Sequence, residues 1–148
     1  MEKEIIIYTD GGCDPNPGPG GWAALILLEG RQVELSGAEA YTTNNRMELT
    51  AAIQALRQAP AGASVRLYTD SRYLQQGITE WLPAWQARGW RRQGGKLANV
   101  DLWQELAQTI RGVRVDWRWV KAHAGDALNN RVDRMVHDAR CKASGRSI

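Results

Sequence analysis

The sequence predicts an α/β domain built on one five-stranded mixed sheet flanked by helices. Three observations carry this expectation. Three strand-like segments follow one another with only turn residues between them, as an antiparallel meander requires. After the third, strand and helix patterns alternate, as in crossover units that bring strands side by side in parallel. Finally, two hydrophobic runs end in the same tripeptide, Tyr8-Thr9-Asp10 and Tyr68-Thr69-Asp70.

The elements follow in order. Glu4 to Asp10 is a β-branched hydrophobic run and reads as a buried strand. Residues 11–21 hold so many glycines and prolines that they read as a turn between antiparallel strands. Trp22 to Leu28 is the second strand, and Gln32 to Tyr41, with its polar–apolar alternation, is the third. Thr42 and Thr43 offer capping hydroxyls to a helix whose apolar stripe is Leu49, Ala52, Ile53 and Leu56. Pro60-Ala61-Gly62 ends it. Val65 to Asp70 is a fourth strand, expected to lie parallel to the first. Ser71 caps a short helix that is expected to end before Pro83, because the residue before a proline disfavours the helical region. Asp101 to Arg111 is a helix, Val113 to Trp119 alternates as a strand with one buried face, and a last helix runs from about Ala127 to Cys141. Strands four and five are expected to run parallel to strand one.

Composition limits the function classes. A chain of 148 residues is one ordinary domain, and no linker or low-complexity segment divides it, so a single domain over 1–148 is expected. Its 43% hydrophobic and 24% charged residues exclude a disordered or fibrous chain. No apolar run approaches the roughly 18 residues of a membrane span, and the charged N-terminus leads straight into a strand, so no membrane partner and a cytoplasmic location are expected. Cys13 and Cys141 lack any zinc-binding spacing and read as free thiols. The formal charge of +3 is compatible with a polyanionic partner but too mild to identify one. The distribution says more. Residues 81–98 hold Arg88, Arg91, Arg92 and Lys96, no acid, and Trp81, Trp85 and Trp90. Aromatics interleaved with cations suit a nucleic-acid strand, although Trp81 and Trp85 at i, i+4 equally suit packing inward.

The acids point to chemistry. If the first and fourth strands are parallel neighbours, Asp10 and Asp70 emerge at the same carboxyl edge, where ligands gather in open α/β sheets. Glu48 lies one residue off the apolar stripe of its helix, and Asp133 sits beside Val132 in the same way, so both fall at the edge of a buried face. Each acid alone could serve a turn or a helix dipole. Those roles do not explain why four converge.

The motifs resemble those of the bacterial type 1 ribonuclease H family. The segments are Tyr8-Thr9-Asp10-Gly11-Gly12-Cys13 with Asn16-Pro17-Gly18-Pro19-Gly20-Gly21, Thr43-Asn44-Asn45-Arg46-Met47-Glu48-Leu49, Tyr68-Thr69-Asp70-Ser71, Asn99-Val100-Asp101-Leu102-Trp103, and Trp119-Val120-Lys121-Ala122-His123-Ala124-Gly125 with Asn129 to Asp133. They span nearly the whole chain in the family's order. The resemblance implies a ribonuclease H-like fold and an endonuclease that hydrolyses the RNA strand of RNA–DNA hybrids, leaving 5′-phosphate and 3′-hydroxyl ends. A role in removing RNA primers and R-loops would follow. It implies that Asp10, Glu48, Asp70 and Asp133 bind metal and that His123 assists proton transfer or product release. Hard oxygen ligands select Mg²⁺, with Mn²⁺ as a substitute, over zinc, and a pair of such ions can activate water and stabilise the leaving oxygen. By the same resemblance Asn16, Asn44 and Asn45 read the 2′-hydroxyls of the minor groove, Thr43 and Asn99 meet a DNA phosphate, and 81–98 is a basic protrusion holding the DNA strand.

Two positions depart from the family's pattern. Arg72 stands where relatives often carry Gln and would add a phosphate contact. Asn130 stands where relatives often carry Glu and lowers the charge near the metal site. A monomer without a small-molecule cofactor is expected. Two rival readings share the fold: a non-catalytic hybrid-binding module, which should have lost a carboxylate, and a resolvase- or integrase-like nuclease, which should lack the asparagines and the Trp-rich basic segment.

Overall fold

The computed structural model describes residues 4–90, 99–120 and 127–143. Five strands, β1 (Glu4–Cys13), β2 (Gly18–Leu28), β3 (Arg31–Thr42), β4 (Ser64–Thr69) and β5 (Arg114–Trp119), form one sheet in the order β3-β2-β1-β4-β5. The first three pair antiparallel, whereas β4 pairs parallel with both β1 and β5. The helices are α1 (Asn44–Leu56), α2 (Arg72–Gln76), α3 (Leu82–Ala87), α4 (Val100–Ile110) and α5 (Ala127–Ala143). This is the predicted mixed sheet flanked by helices.

Alternation along the strands builds two apolar layers. Ile5, Ile7, Ala24, Ile26, Val65 and Leu67 face Leu49, Ile53 and Leu56 of α1 and Trp103 and Leu106 of α4. Tyr8, Ala23 and Leu25 point the other way, onto Val132, Met135 and Val136 of α5. Each fully buried Leu or Ile in these layers is worth about 1.5–3 kcal/mol. Cys13 and Cys141 are both free thiols, as expected.

Two local expectations are corrected. The glycine-rich segment is mostly strand: β1 continues through Cys13, β2 begins at Gly18, and Gly11↔Trp22, Gly12↔Gly21 and Cys13↔Gly20 are paired. Only residues 14–17 turn the chain. Ladder pairing supplies the order that the glycines lack by themselves, and as a result Asp10 lies within a strand rather than at its end. The helix after Ser71 does not stop before Pro83. It passes through a π-helical turn (Gly77–Trp81), in which Leu82 N–H reaches Gly77 O, and re-forms as α3 with Pro83 in its first turn. Proline is tolerated in the first turn of an α-helix, where its fixed φ suits the helical region.

Candidate active site

The parallel ladder between β1 and β4 ends at Tyr8↔Tyr68, whose rings stack with centroids 4.7 Å apart. Beyond this pair the strands part. β1 stays bound to β2, while β4 ends at Thr69 and the chain turns into α2. Asp10 and Asp70, each two residues past its tyrosine, therefore stand at one edge of the sheet. α5 is anchored on the same face by Val132 and Val136 and brings Asp133 to that edge. One carboxylate oxygen from each of Asp10, Asp70 and Asp133 lies within 4.8 Å of the others.

Glu48 arrives from α1 on the opposite face and stands outside that tightest group. A Cβ on Gly11 would collide with the Met47 and Glu48 backbone, so only glycine lets α1 approach β1 this closely. The Glu48 carboxylate accepts a hydrogen bond from Ser71 Oγ. In the sequence Ser71 carries only the signal of a helix cap. Its hydroxyl beside an acid on another helix is a tertiary feature with no local signal.

Crowding among the carboxyls sets their protonation. Burial, a hydrogen bond that the protonated Asp10 carboxyl donates to Asp133, and the charge of Asp70 push the Asp10 carboxyl up to about 9. Burial raises Glu48 to about 7, against the Ser71 hydrogen bond and with the help of Asp70's charge. The protein thus gathers hard oxygen donors so closely that, without a cation, a proton must hold them together. That donor set fits Mg²⁺ or Mn²⁺.

The other predicted residues divide into three groups. Asn16, Thr43 and Asn44 meet at the same end of the sheet. Asn44 Oδ1 accepts Cys13 N–H at 2.6 Å, Asn44 N–H donates to Asn16 Oδ1 at 3.2 Å, and Thr43 Oγ1 caps α1 by accepting Arg46 N–H at 3.2 Å. Asn45 is half-buried in the first turn of α1, and Arg72 is exposed at the start of α2. Asn99 precedes α4 in the left-handed region (φ 57°). Its amide is held on both sides, Nδ2 donating to Tyr73 Oη at 3.0 Å and Oδ1 accepting from Arg46 at 3.3 Å.

The second group is Trp81, Trp85 and Trp90. They are half-buried in a chain of ring contacts with Tyr73 and Trp103, Trp81 and Trp85 being stacked at 5.9 Å. Arg88 is exposed just past α3, with its Nε donating to Ala84 O at 3.3 Å. The third group, Arg91, Arg92, Lys96 and His123, lies outside the described residues. A separate cavity of about 470 Å³ opens between β3 and α5, lined in part by Glu34, Arg131 and Asp138, and none of Asp10, Glu48, Asp70 and Asp133 lines it.

A mixed sheet of this order, with three acids converging where β1 and β4 part, is the arrangement of a nuclease class of fold with a carboxylate cluster that could hold a cation. The chain belongs to the ribonuclease H family, whose model, described as RNase H, matches residues 2–141. It is 50% identical over 147 residues to a ribonuclease H of Xanthomonas oryzae pv. oryzae, covering 98% of each chain. It superposes on LC9-RNase H1, a type 1 RNase H with the type 2 active-site motif, with a TM-score of 0.83 and 34% identity, over 99% of this chain and 75% of that one. It also resembles LC11-RNase H1, solved in complex with an RNA/DNA hybrid, with a TM-score of 0.64 and 25% identity, over 94% of this chain and 98% of that one. No helix among the described residues is long and apolar enough to cross a membrane.

Proposed function

We propose that this protein is an endonuclease that hydrolyses the RNA strand of RNA–DNA hybrids, and that it acts as a cytoplasmic monomer in clearing RNA primers and R-loops. The observation that carries the reading is the convergence of Asp10, Asp70 and Asp133 within 4.8 Å at one sheet edge of a ribonuclease H-family chain. The hybrid bound by LC11-RNase H1 supports the choice of substrate. Asp10, Glu48, Asp70 and Asp133 would hold two divalent cations, Mg²⁺ or Mn²⁺. When bound, the cations would supply charge neutralisation and lower the pKa of water, so that it gives up a proton more readily as it attacks phosphorus.

The remaining roles belong to the chain. In the hydrolysis a water oxygen bonds to phosphorus and the 3′-oxygen leaves, giving a 5′-phosphate and a 3′-hydroxyl. His123, whose side-chain class titrates near neutrality, moves the proton. Asn16, Asn44 and Asn45 accept and donate to 2′-hydroxyls, which only the RNA strand carries. Thr43, Arg72 and Asn99 meet backbone phosphates. Segment 81–98 forms a basic protrusion of the single domain, in which Trp81, Trp85 and Trp90 offer ring faces and Arg88, Arg91, Arg92 and Lys96 meet the DNA strand.

The test is cleavage of a labelled hybrid beside DNA and RNA duplexes of the same sequence. With Mg²⁺ the hybrid's RNA strand is nicked, EDTA abolishes nicking, and Asp10→Asn lowers the rate by at least about 10³-fold. Equal rates for Asp10→Asn and wild type would refute the carboxylate assignment.

A further inference from the structure

The Ser71 hydroxyl is fixed between two elements. Ser71 is 4% exposed. Its Oγ accepts Leu74 N–H at 3.0 Å, which caps α2, and donates to Glu48 Oε2 of α1. Its own N–H donates to Thr69 Oγ1 at 3.1 Å, and its carbonyl accepts Gln75 N–H at 3.1 Å. A hydroxyl has one proton and two lone pairs. With Leu74 on a lone pair and an acceptor-only carboxylate opposite, the proton points at Glu48. The cap of α2 thus fixes where that hydroxyl sits, and the ionised Glu48 carboxylate accepts its hydrogen bond.

The repeated tripeptide shows what this turn adds. In β1 the strand runs straight through Asp10, and among the described residues Thr9 Oγ1 is buried without a hydrogen-bond partner. In β4 the chain leaves the sheet after Thr69, and the equivalent hydroxyl takes Ser71 N–H across Asp70. The same three residues thus give a bare strand position for Asp10, and for Asp70 a closed turn whose far end reaches Glu48.

We propose that Ser71 is a positioning residue of the carboxylate site, coupling the start of α2 to the Glu48 carboxylate and setting how that carboxylate meets a divalent cation. This rests on the metal-site reading above and extends it to a residue that does not itself bind the cation. Glu48 extends from a helix on the opposite face of the sheet from α5, and its side chain has several rotamers to lose on binding an ion. Ser71 removes that freedom in advance. Only one Glu48 oxygen is engaged by Ser71, so the other remains for the cation. Partners that orient metal ligands in this way typically govern affinity by roughly 10- to 100-fold.

The test is calorimetric Mn²⁺ binding to the full chain in the wild type and in three variants. Ser71→Ala loses both the cap and the proton. Ser71→Gly keeps a serviceable helix cap, costing only a few tenths of a kcal/mol there, and loses the proton. Ser71→Thr keeps both. We expect Mn²⁺ affinity to fall roughly 10-fold or more in Ser71→Ala and Ser71→Gly, with most of it restored in Ser71→Thr. In parallel assays at limiting metal, kcat on the hybrid falls while KM holds. Metal-free melting curves establish that Ser71→Gly is folded at the assay temperature. Wild-type Mn²⁺ affinity in folded Ser71→Gly overturns the role of Ser71 and leaves the metal site standing. A wild type that binds no Mn²⁺ overturns both.

Discussion

Asp10 on β1 and Asp133 on α5 are joined by a hydrogen bond between their carboxyl groups. Two carboxyls can bond in this way only while one keeps its proton. Burial, together with this bond, raises Asp10 from 3.8 to about 9. The folded chain therefore holds a proton that the unfolded chain releases. Asp10's contribution is fully present below its unfolded value and is lost as pH rises through its folded value, a window of roughly pH 4 to 9. Glu48, raised to about 7, adds the same sign over a narrower range. The expected outcome in EDTA is a melting temperature that declines across this window. Mg²⁺ should flatten the decline by taking the proton's place. Asp10→Asn, which stays neutral, should melt above wild type in EDTA at about pH 8. Thermal melts with and without metal check all three, and a variant that melts lower than wild type there contradicts the account.

Asn99 caps α4 at φ 57°, ψ 30°, where Cβ is crowded against the following carbonyl oxygen. Asparagine tolerates this region better than most residues, and here its amide is also tied to Tyr73 and Arg46. Arg46 in turn makes a bidentate pair with Asp101, at 3.0 and 2.9 Å. Asn99→Ala should lose these bonds and also carry the left-handed penalty, about 1–2 kcal/mol. Asn99→Gly should lose the bonds alone, giving a stability between wild type and Asn99→Ala. Both should bind the hybrid more weakly if the amide faces phosphate. Urea unfolding separates the two costs, and an alanine variant as stable as the glycine one refutes the conformational argument.

What could be read without coordinates follows from how local each cause is. The alternation in Ile5, Ile7, Val65 and Leu67 reports burial directly, so the sheet and its parallel neighbours were legible, and with them the meeting of Asp10 and Asp70. Gly11 and Gly12 were misread because their strand conformation comes from pairing with Trp22 and Gly21, which their own preferences do not announce. Pro83 was misread because the bias of the residue before a proline against the helical region is only a preference: Leu82 is helical at φ −61°, ψ −47°, and its burial in the core outweighs that preference. Ser71 could not be distinguished from an ordinary cap, because Glu48 is remote in sequence. The tryptophans stayed ambiguous for a similar reason. Spacing at i, i+4 is the same for a ring that packs and a ring that binds, and only the contact of Trp85 with Trp103 reveals the packing.

Gly77 is the point where the helical segment crosses Trp103. A Cβ built there would overlap the indole ring, which is fully buried and donates Nε1–H to Tyr73 Oη at 2.9 Å. The ring has no room to retreat without breaking that bond or disturbing Trp85 against it. Gly77→Ala should therefore destabilise the protein by about 1–3 kcal/mol despite the better helix propensity of alanine. Denaturant unfolding measures it. Because the strain is shared with the ring cluster, a change in near-ultraviolet circular dichroism should accompany it. A variant as stable as wild type would show that the π-helical turn yields easily.

Salt separates the proposed DNA-strand contact of segment 81–98 from the packing of its tryptophans. Trp81, Trp85 and Trp90 pack against the core, so they can hold the segment in place whether or not it meets nucleic acid. Arg88 is exposed, and Arg91, Arg92 and Lys96 follow it with no acid among residues 81–98. Each phosphate neutralised should contribute about 0.9 to the slope of log affinity against log salt on B-form DNA, with a similar order expected on a hybrid. Replacing all four cations by alanine should therefore flatten the slope by up to about 3 to 4 and weaken binding across sequences alike. Loss of the exposed Arg88 should change stability little, since an exposed cation contributes under about 1 kcal/mol. Trp85→Ala should do the reverse, lowering stability through lost packing. Binding measured by fluorescence anisotropy across a salt series, beside thermal melts of the same variants, checks both. An unchanged slope in the quadruple variant would make the segment a packing element and move the DNA-strand contact elsewhere on the protein.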